Sequence, residues 1–502
     1  MKLSILFSTI QHLKIKQVIY QLKYRLIRRK FSELSCPCDV QYLNWISYIP
    51  KYQSCCGNVF TFLNQSSSFS SWNDTSKGML WAYNLNYMDW LLQEDMDYEQ
   101  GKWWIDKFID DLPENQIGCD PYPIALRGIN WIKFISMNEA KIDSERKKRW
   151  NNSLYSQYQL LRQKLEYHLL GNHLLEDAYS LYIAAIYFND AAMYSKARKL
   201  LFKELKEQIL DDGAHYEQSP MYHCILLERL LDCYNIAYNN MRFSDQGHDV
   251  DVLKTYCIRM LGHLESILYN DRSIPFVNDT AEGICSNPDE IFKYAERLHL
   301  NWHATTLKES GYRKMKNSRM EALVDVGDIT ADYQAGHSHA DALNYELKVD
   351  NKPFIVDTGI STYDKTARRQ YERSTEAHNC VVVGGNSSSE VWGGFRVGKR
   401  CNVKILIEDA DCIEAYHDGY DKHCSRKFQM QEDAFLIEDR YKGDAISYIH
   451  LSHEADIEKI IIEGAHKIEV INTKYSTRYN RFIDNKTIRI HFNGKVNYRI
   501  QC

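Results

Sequence analysis

The sequence lacks any hydrophobic run long enough to cross a membrane, because charged residues interrupt its apolar stretches throughout. A transmembrane helix needs roughly 20 consecutive, mostly apolar residues. Strong charge of one sign is also absent: the formal net charge is −5 over 502 residues, so nothing indicates a nucleic-acid partner. With 44% hydrophobic and 13% aromatic residues, the chain can bury a large core, and its length favours two or three domains.

Cysteine spacings typical of zinc ribbons are missing. The 14 cysteines are scattered, and the only close pairs are Cys36/Cys38 and Cys55/Cys56. Neither pair has the two-residue gap of such sites. We therefore expect buried thiols in a reducing compartment.

The first 30 residues contain eight Lys or Arg and no acidic residue. Their apolar stretch "LSILFSTI" is short and is not followed by a small-residue cleavage site, so we expect a cytoplasmic protein without a signal peptide. A basic amphipathic helix is predicted here, which either rests on the anionic inner face of the membrane or packs on its own domain with a solvated basic face. Its apolar positions recur at helical spacing: Ile15, Val18, Ile19, Leu22 and Leu26.

The chain changes character once. Apolar residues recur at three- and four-residue steps up to about residue 315, as in residues 195–210, which indicates helices. Alternating runs such as "ALNYELKVD" and "HKIEVINT" follow, which indicates antiparallel strands. We predict an α+β multidomain fold with an N-terminal arm (1–60), a helical domain (61–318) and a β-sandwich (319–502), and a ligand groove between the last two.

Two polar clusters stand at predicted helix starts. Asn172 and His173 open an apolar helix, where Asn172 could serve simply as a helix cap. Ser219 and Pro220 read as an N-cap and a first helical position, which puts Tyr222 in the first turn. The helix dipole would favour the ionised phenol and lower its pKa, although a tyrosine here is also compatible with plain packing.

The stretch "GHSHAD" (336–341) places two histidines and an aspartate within five positions, ahead of a run that alternates like a strand. Surface histidines on a strand are the simple interpretation. A functional cluster is the alternative, because titratable groups rarely crowd together without a partner.

In order along the chain, "GNHLLE", "DGAHYEQSPMYH", "GHSHAD" with "IVDTG", and "AHNCVVVGG" resemble the motifs of the heparinase II/III-like polysaccharide lyases, which include related alginate lyases. "NLNYMDW" and "DPYPIALRGINWI" extend the resemblance to about residues 75–400. The resemblance implies an incomplete (α/α) toroid followed by an antiparallel β-sandwich, with the active site in the cleft.

The family chemistry cleaves a uronate-containing glycan by β-elimination, in which a proton leaves the carbon beside the carboxylate and the glycosidic oxygen is protonated. By resemblance, Asn172 donates to the substrate carboxylate, aided by His173, which matches a base in some relatives. Tyr222 would protonate the leaving oxygen, and in syn eliminations also act as base. His337 would be the second acid/base residue.

The resemblance also implies a zinc site. His339, Asp357 and His378 match the family's metal ligands, with water as a fourth ligand, and His417 or His423 are alternatives to His378. Such a zinc would order the edge of the β domain that presents His337 and would not attack the substrate. For this geometry "GHSHAD" must curl back as a loop.

Candidate substrate contacts are the aromatic, amide and cationic residues that could stack on sugars or pair with carboxylates. The alternative is a structural role, since Trp and Asn buried in toroid folds commonly have one. These residues are Arg127, Asn130, Trp131, Trp392 and Arg396.

The function predicted is a polysaccharide lyase acting on an acidic polysaccharide or oligosaccharide. The expected cytoplasmic location favours capsule, exopolysaccharide or O-antigen production over foraging. A uronyl C5-epimerase is the alternative, because the same proton abstraction followed by return of the proton to the opposite face inverts the carbon. A non-catalytic carbohydrate-binding relative is a third interpretation.

Overall fold

The computed structural model describes residues 3–27, 29–37 and 40–501, so Cys38 of the Cys36/Cys38 pair lies outside the described residues. The helices are α1 (Leu3–Ile10), α2 (Ile15–Leu26), α3 (Met79–Tyr87), α4 (Tyr98–Asp111), α5 (Pro121–Met137), α6 (Ser144–Lys164), α7 (Gly171–Tyr187), α8 (Ala191–Gln208), α9 (Pro220–Asn239), α10 (Gln246–Ile267), α11 (Pro288–Arg297) and α12 (Ala367–Glu372).

The strands fall into an early group, β1 to β3, and a late group that begins after α11. They are β1 (Cys55–Cys56), β2 (Val59–Phe62), β3 (Gln65–Ser68), β4 (Tyr312–Lys316), β5 (Met320–Asp325), β6 (Tyr345–Val349), β7 (Lys352–Ile355), β8 (Val381–Val382), β9 (Val391–Trp392), β10 (Arg396–Val397), β11 (Val403–Glu408), β12 (Cys412–His417), β13 (Cys424–Met430), β14 (Ala434–His450), β15 (Ile460–Glu463), β16 (Lys467–Tyr475) and β17 (Ile483–Gln501).

The helical half alternates inner and outer helices. Helices α5, α7 and α9 pack side by side, and each packs on the helix that follows it, α6, α8 and α10 respectively. Apart from His173, every residue of α7 is buried, whereas α8 keeps a solvated face rich in lysine. A helix that is buried all round belongs in the interior of a helical array. This alternation is the toroid arrangement expected from the sequence.

The late strands form a β-sandwich. A four-stranded sheet has the order β4-β5-β6-β7, and a larger sheet runs β11-β12-β13-β14-β17-β15, with β8 and β16 attached to β14 and β17. All pairs within these sheets are antiparallel. Their inner faces share one core, in which Met320 and Leu347 of the small sheet pack with Phe428 and Ile437 of the large one. The predicted α+β fold class is confirmed.

The first small sheet lies near the predicted domain boundary at residue 60, and the change from helices to strands lies near the predicted boundary at residue 318, but neither coincides with it. The β1–β3 sheet covers residues 55–68 and so crosses residue 60, and β4 ends before residue 318. The domain boundaries themselves stay predictions.

The turn between β6 and β7 has positive φ at both Asp350 and Asn351, as in the tight hairpins that match strand twist. Residues 336–341 form an irregular loop ahead of β6. The curled loop expected for "GHSHAD" is therefore present, and surface histidines on a strand are excluded for His337 and His339, which are both buried.

Helices α1 and α2, which we call the strap, bridge the two halves. Gln17 Nε2 donates to the carbonyl oxygens of Leu169 in the helical half and Tyr333 in the β half, at 3.1 Å each. Trp392 Nε1 donates to Thr9 Oγ1 at 3.0 Å. No helix among the described residues has the length and apolar character of a membrane span.

Helix α2 packs on the rest of the protein through Gln17 and leaves its predicted apolar positions in solvent. Gln17 is buried, whereas the predicted apolar positions of α2 are all exposed, with Ile15 at 79% and Leu26 at 83%. Helix α2 is thus packed on its own protein, as one of the two interpretations expected, but its exposed surface includes apolar side chains as well as basic ones. The exposed residues, which we call the apolar row, are Ile15, Val18, Ile19, Leu22 and Leu26.

Candidate active site

A cavity of about 680 Å³ lies between the helical half and the β-sandwich. The first turns of four helices of the toroid reach its wall, through Leu80 of α3, Tyr122 of α5, Asn172 of α7 and Tyr222 of α9. Helix N-termini carry partial positive charge. The cavity is therefore suited to an anionic ligand.

Asn172 is held by a carboxylate at the start of α7. Its backbone N–H donates to Glu217 Oε1 (2.8 Å), and its Nδ2 donates to Glu217 Oε2 (2.9 Å). Gly171 makes this approach possible: it has φ +60°, and a Cβ there would stand 2.3 Å from Glu217 Oε1. Only glycine fits this position without moving the carboxylate.

The capping interpretation of Asn172 is wrong. Leu170 is the N-cap residue of α7, and Asn172 is the second residue of the helix. The side-chain Oδ1 of Asn172 is buried without a hydrogen-bond partner, and its Nδ2 lies 3.3 Å from His337 Nε2. A buried polar atom without a partner in a cleft indicates a place for a ligand.

Tyr222 stands where the sequence places it, in the first turn of α9. Ser219 is the N-cap and accepts a hydrogen bond from the Tyr222 N–H at 3.3 Å, and Pro220 is the first helical residue, as predicted. Burial raises the pKa of Tyr222 well above its usual value. The expectation that the helix dipole would lower this pKa is wrong, because desolvation of the phenolate outweighs the dipole.

His337 arrives from the β half and is fixed by an acid. Its Nδ1 lies 2.9 Å from Asp279 Oδ2, so the tautomer with the proton on Nδ1 leaves Nε2 free to accept a proton. Asp279 also bonds His339 Nε2 (2.9 Å) and both terminal nitrogens of Arg369 (2.5 and 2.7 Å). Burial alone would raise the pKa of Asp279, but the guanidinium and the two imidazoles hold it well below its usual range.

His173 also lines the cavity, and its ring centroid lies 4.6 Å from the ring centroid of Tyr122. Its Nδ1 lies 2.9 Å from Glu166 Oε2. Burial favours the neutral ring, yet the carboxylate partner prevails and raises the pKa of His173 above its usual value. A protonated His173 can therefore face the ligand as a cation.

The predicted metal ligands lie together behind the cavity. His378 Nδ1 pairs with Asp357 Oδ2 at 2.7 Å, and the rings of His339 and His378 are 5.2 Å apart between centroids. His339 Nδ1 and His378 Nε2 are buried and have no hydrogen-bond partner, which fits two imidazole ligands.

In this arrangement Asp357 is engaged by other groups. Its Oδ2 accepts from Asn344 Nδ2 (2.7 Å) as well as facing His378, and its Oδ1 accepts from the Gly359 N–H (2.9 Å). Across the residues that the structure describes, no group of three or more His, Cys, Asp or Glu side chains could hold a metal ion.

Three predicted substrate contacts are buried in the toroid core. Arg127 donates to Gln157 Oε1 and to two backbone carbonyls, Asn130 Nδ2 donates to the Tyr87 carbonyl, and Trp131 Nε1 contacts Met88 Sδ at 3.2 Å. All three side chains are fully buried and absent from the cavity lining. Their burial away from the cavity favours a structural role over the expected contact with sugar, although Oδ1 of Asn130 has no hydrogen-bond partner in the core.

The other two predicted contacts diverge. Arg396 lines the cavity and is exposed, with its guanidinium 5.1 Å from the ring centre of Trp392. Trp392 is directed to Thr9 of the strap and is absent from the lining. Of the five predicted substrate contacts, Arg396 is therefore the one that lines the cavity.

Several residues that shape the site were not predicted as site residues. Glu217 lies inside the motif "DGAHYEQSPMYH", five residues ahead of Tyr222, and could have been found there. Asp279 and Arg369 carry no local signal, because their pairing joins residues 90 positions apart. Tyr363, whose hydroxyl is 3.4 Å from that of Tyr222, also has no sequence pattern around it that indicates a place in the site.

Comparison with known families finds two adjacent matches. Residues 129–298 match the heparinase II/III N-terminus, and residues 300–459 match the heparinase II/III-like C-terminal domain. The matches meet where the helical half ends and the sandwich begins.

Two curated relatives are heparin-sulfate lyases. The protein from Bacteroides thetaiotaomicron is 20% identical over 388 residues, which cover 66% of this chain and 53% of the relative. The protein from Bacteroides stercoris is 21% identical over 319 residues, which cover 57% of this chain and 46% of the relative. The chain thus spans about half the length of the curated relatives it matches.

Solved structures share the fold. A crystal structure of heparinase III superposes with a TM-score of 0.67 at 15% identity, covering 96% of this chain and 88% of that one. A heparan sulfate lyase from Pedobacter heparinus superposes with a TM-score of 0.55 at 14% identity, covering 97% and 88%. With both family domains matched in order, the chain belongs to the heparinase II/III-like family.

Proposed function

We propose that this protein is a polysaccharide lyase that cleaves an acidic, uronate-containing glycan by β-elimination. One observation carries the proposal: Asn172, Tyr222 and His337, drawn from both halves of the molecule, meet in one cavity. The relatives named as heparin-sulfate lyases support a glycosaminoglycan as the substrate class.

The first step needs a neutralised carboxylate, because the proton on the adjacent carbon is only weakly acidic. Asn172 Nδ2 donates one hydrogen to Glu217, and its second hydrogen, which faces His337 Nε2, would be donated to the substrate carboxylate. His173, whose pKa Glu166 raises against the effect of burial, would add a charged donor when protonated. Together they would stabilise the enolate-like intermediate.

The acid and the base follow from protonation states. Tyr222 keeps its proton at neutral pH because burial raises its pKa, so it would serve as the acid toward the leaving glycosidic oxygen. His337 has a free Nε2 when Asp279 accepts from Nδ1, so it would take the proton from carbon. The proton of Tyr222 and the proton gained by His337 balance the elimination.

A uronyl C5-epimerase is the second candidate, and one observation favours keeping it: the cavity lining includes His173 as well as His337. Such an enzyme would return a proton to the opposite face of the intermediate before the chain breaks. The protonated phenol of Tyr222 favours the lyase, because it supplies the group that expels the leaving oxygen.

Zinc at His339, Asp357 and His378 is a further proposal. The two unpartnered imidazole nitrogens support it, and Asp357 would have to exchange its contact with His378 for the metal. When bound, such an ion would supply structural order to the loop that carries His337. No step of the elimination depends on it.

We also propose a cytoplasmic role in surface-polysaccharide production, with peripheral contact to the inner face of the membrane. The apolar row on α2 supports the membrane contact, because it faces solvent beside the exposed cations Lys14, Lys23 and Arg25. Apolar insertion and attraction to anionic lipid would act together.

The activity is tested by incubating the purified protein with a panel of uronate polysaccharides and following the ultraviolet absorbance of new double bonds. Accumulation of unsaturated ends supports the proposal. Absence of absorbance with every polymer, including the surface polysaccharide of the producing cell, contradicts it.

A further inference from the structure

Arg400 is a buried cation in the cavity wall that the chemistry above does not use. It lies between β10 and β11 and lines the same cavity as Asn172 and His337. Its side chain is only 11% exposed. Its Nε and Nη1 are buried and have no hydrogen-bond partner.

The protein compensates this charge weakly. The ion pair formed by Arg400 joins Nη1 to Asp332 Oδ1 at 3.8 Å, and the Asp332 side chain is 84% exposed, so water screens it. His12 of the strap also lies close to it, and burial followed by the Arg400 charge lowers the pKa of His12. A histidine adds no negative charge in either protonation state.

A largely buried guanidinium without a hydrogen-bond partner is unfavourable unless an anionic ligand binds to it. Buried guanidinium donors are nearly always hydrogen-bonded, and a buried charge without a partner destabilises the fold. Elsewhere in this protein, Arg369 and Arg426, which are also buried, each pair with one carboxylate through two nitrogens. Arg400 lines the cavity without such a carboxylate partner.

We infer that Arg400 is an oxyanion subsite of the cleft, which binds a carboxylate or sulfate on a sugar of the acidic glycan. The planar guanidinium matches either group with two parallel hydrogen bonds. This inference rests on the proposed function for the identity of the ligand. It differs from the expectation for Arg396, whose guanidinium is exposed and stacks over Trp392.

Binding of two tetrasaccharides, one unsulfated and glucuronate-containing and one its sulfated counterpart, is measured by calorimetry on the wild type, Arg400→Gln and Arg400→Lys. We expect Arg400→Gln to weaken binding about tenfold or more, the loss typical of a hydrogen bond to a charged group. Arg400→Lys should recover part of the affinity. Lys399→Gln, which removes a neighbouring exposed cation, should leave it unchanged.

Thermal unfolding separates a subsite from a structural role. Removing a buried charge without a hydrogen-bond partner should leave the Tm of the free Arg400→Gln protein equal to or above that of the wild type. A lower Tm with unchanged tetrasaccharide affinity would overturn the inference. Loss of affinity for both sugars assigns a carboxylate to the subsite, and loss for the sulfated sugar alone assigns a sulfate.

Turnover distinguishes this inference from the proposed function. If the tetrasaccharides bind through Arg400 but no variant or wild type forms double bonds, the subsite stands and the lyase activity fails. If the wild type cleaves its substrate and Arg400→Gln keeps the wild-type KM, the activity stands and the subsite is contradicted.

Discussion

The ring of Tyr222 lies against the ring of His337, with centroids 4.0 Å apart and planes inclined by 32°. Tyr222 belongs to α9 of the helical half and His337 to a loop of the β half. The contact therefore exists only when the two halves are docked, and it places a protonated phenol beside an imidazole that can accept a proton. The proposed acid and base are thus brought together by the domain interface.

Tyr222→Phe should lower kcat at least about a hundredfold, because it removes the acid hydroxyl and keeps the ring that packs on His337. The Tm should change little, since the hydroxyl makes only one contact, at 3.4 Å, with Tyr363. Tyr234→Phe, at the other end of α9, is the matched control and should keep wild-type turnover. Turnover of Tyr222→Phe within a few-fold of the wild type would exclude the acid role.

Glu166→Gln should shift the alkaline limb of the pH–rate profile to lower pH. In the folded protein Glu166 raises the pKa of His173, so the cation that faces the carboxylate persists above the usual histidine range and is lost as pH rises through that raised value. Without the acid, His173 loses its proton at lower pH. The profile is measured as kcat/KM against pH, and an unmoved limb would remove His173 from carboxylate binding.

Metal analysis of the purified protein should find about one zinc per chain, and His339→Ala should lose it with a fall in Tm. His423→Ala is the matched control, because this exposed histidine lies in the connection between β12 and β13, stacked beside Tyr416. Unfolding is followed with and without a chelator. A wild-type protein that contains no metal, and whose Tm changes with neither zinc nor chelator, would contradict the zinc site.

Replacing Ile19 and Leu22 of the apolar row by serine should weaken binding to phosphatidylglycerol vesicles about tenfold or more, since both side chains are 55% exposed and available for insertion. Cleavage of soluble substrate should not change, because neither residue lines the cavity. Ile461→Ser, which alters an exposed isoleucine of β15, is the control. Equal vesicle binding by the wild type, the Ile19 and Leu22 double variant and Ile461→Ser would contradict a role of the apolar row in membrane binding.

Local patterns foretold much of the architecture. Periodicity located the helical and β halves, and the Ser219–Pro220 pair predicted the start of α9, because caps and strand alternation depend on neighbours in sequence. The order of the family motifs also brought Asn172, Tyr222 and His337 to one cavity.

Long-range packing decided the rest. Arg127 looks like a sugar ligand in sequence, yet its guanidinium satisfies backbone carbonyls in the toroid core. The pKa of Tyr222 could not be read from its helix position, because burial by residues distant in sequence outweighs the dipole. The amphipathic pattern of α2 was recognised, but which face packs depends on the strap contacts of Gln17 with both halves.

The most direct test runs the reaction in heavy water on a uronate polysaccharide, with nuclear magnetic resonance for carbon-bound deuterium and size-exclusion chromatography for chain length. The lyase and the epimerase reactions share the base, the neutralised carboxylate and the intermediate. They differ in the fate of that intermediate. Because Tyr222 is placed to protonate the glycosidic oxygen, we predict shorter chains with unsaturated ends and little deuterium on the uronate carbon. Deuterium accumulating on that carbon at constant chain length would contradict the lyase and establish the epimerase.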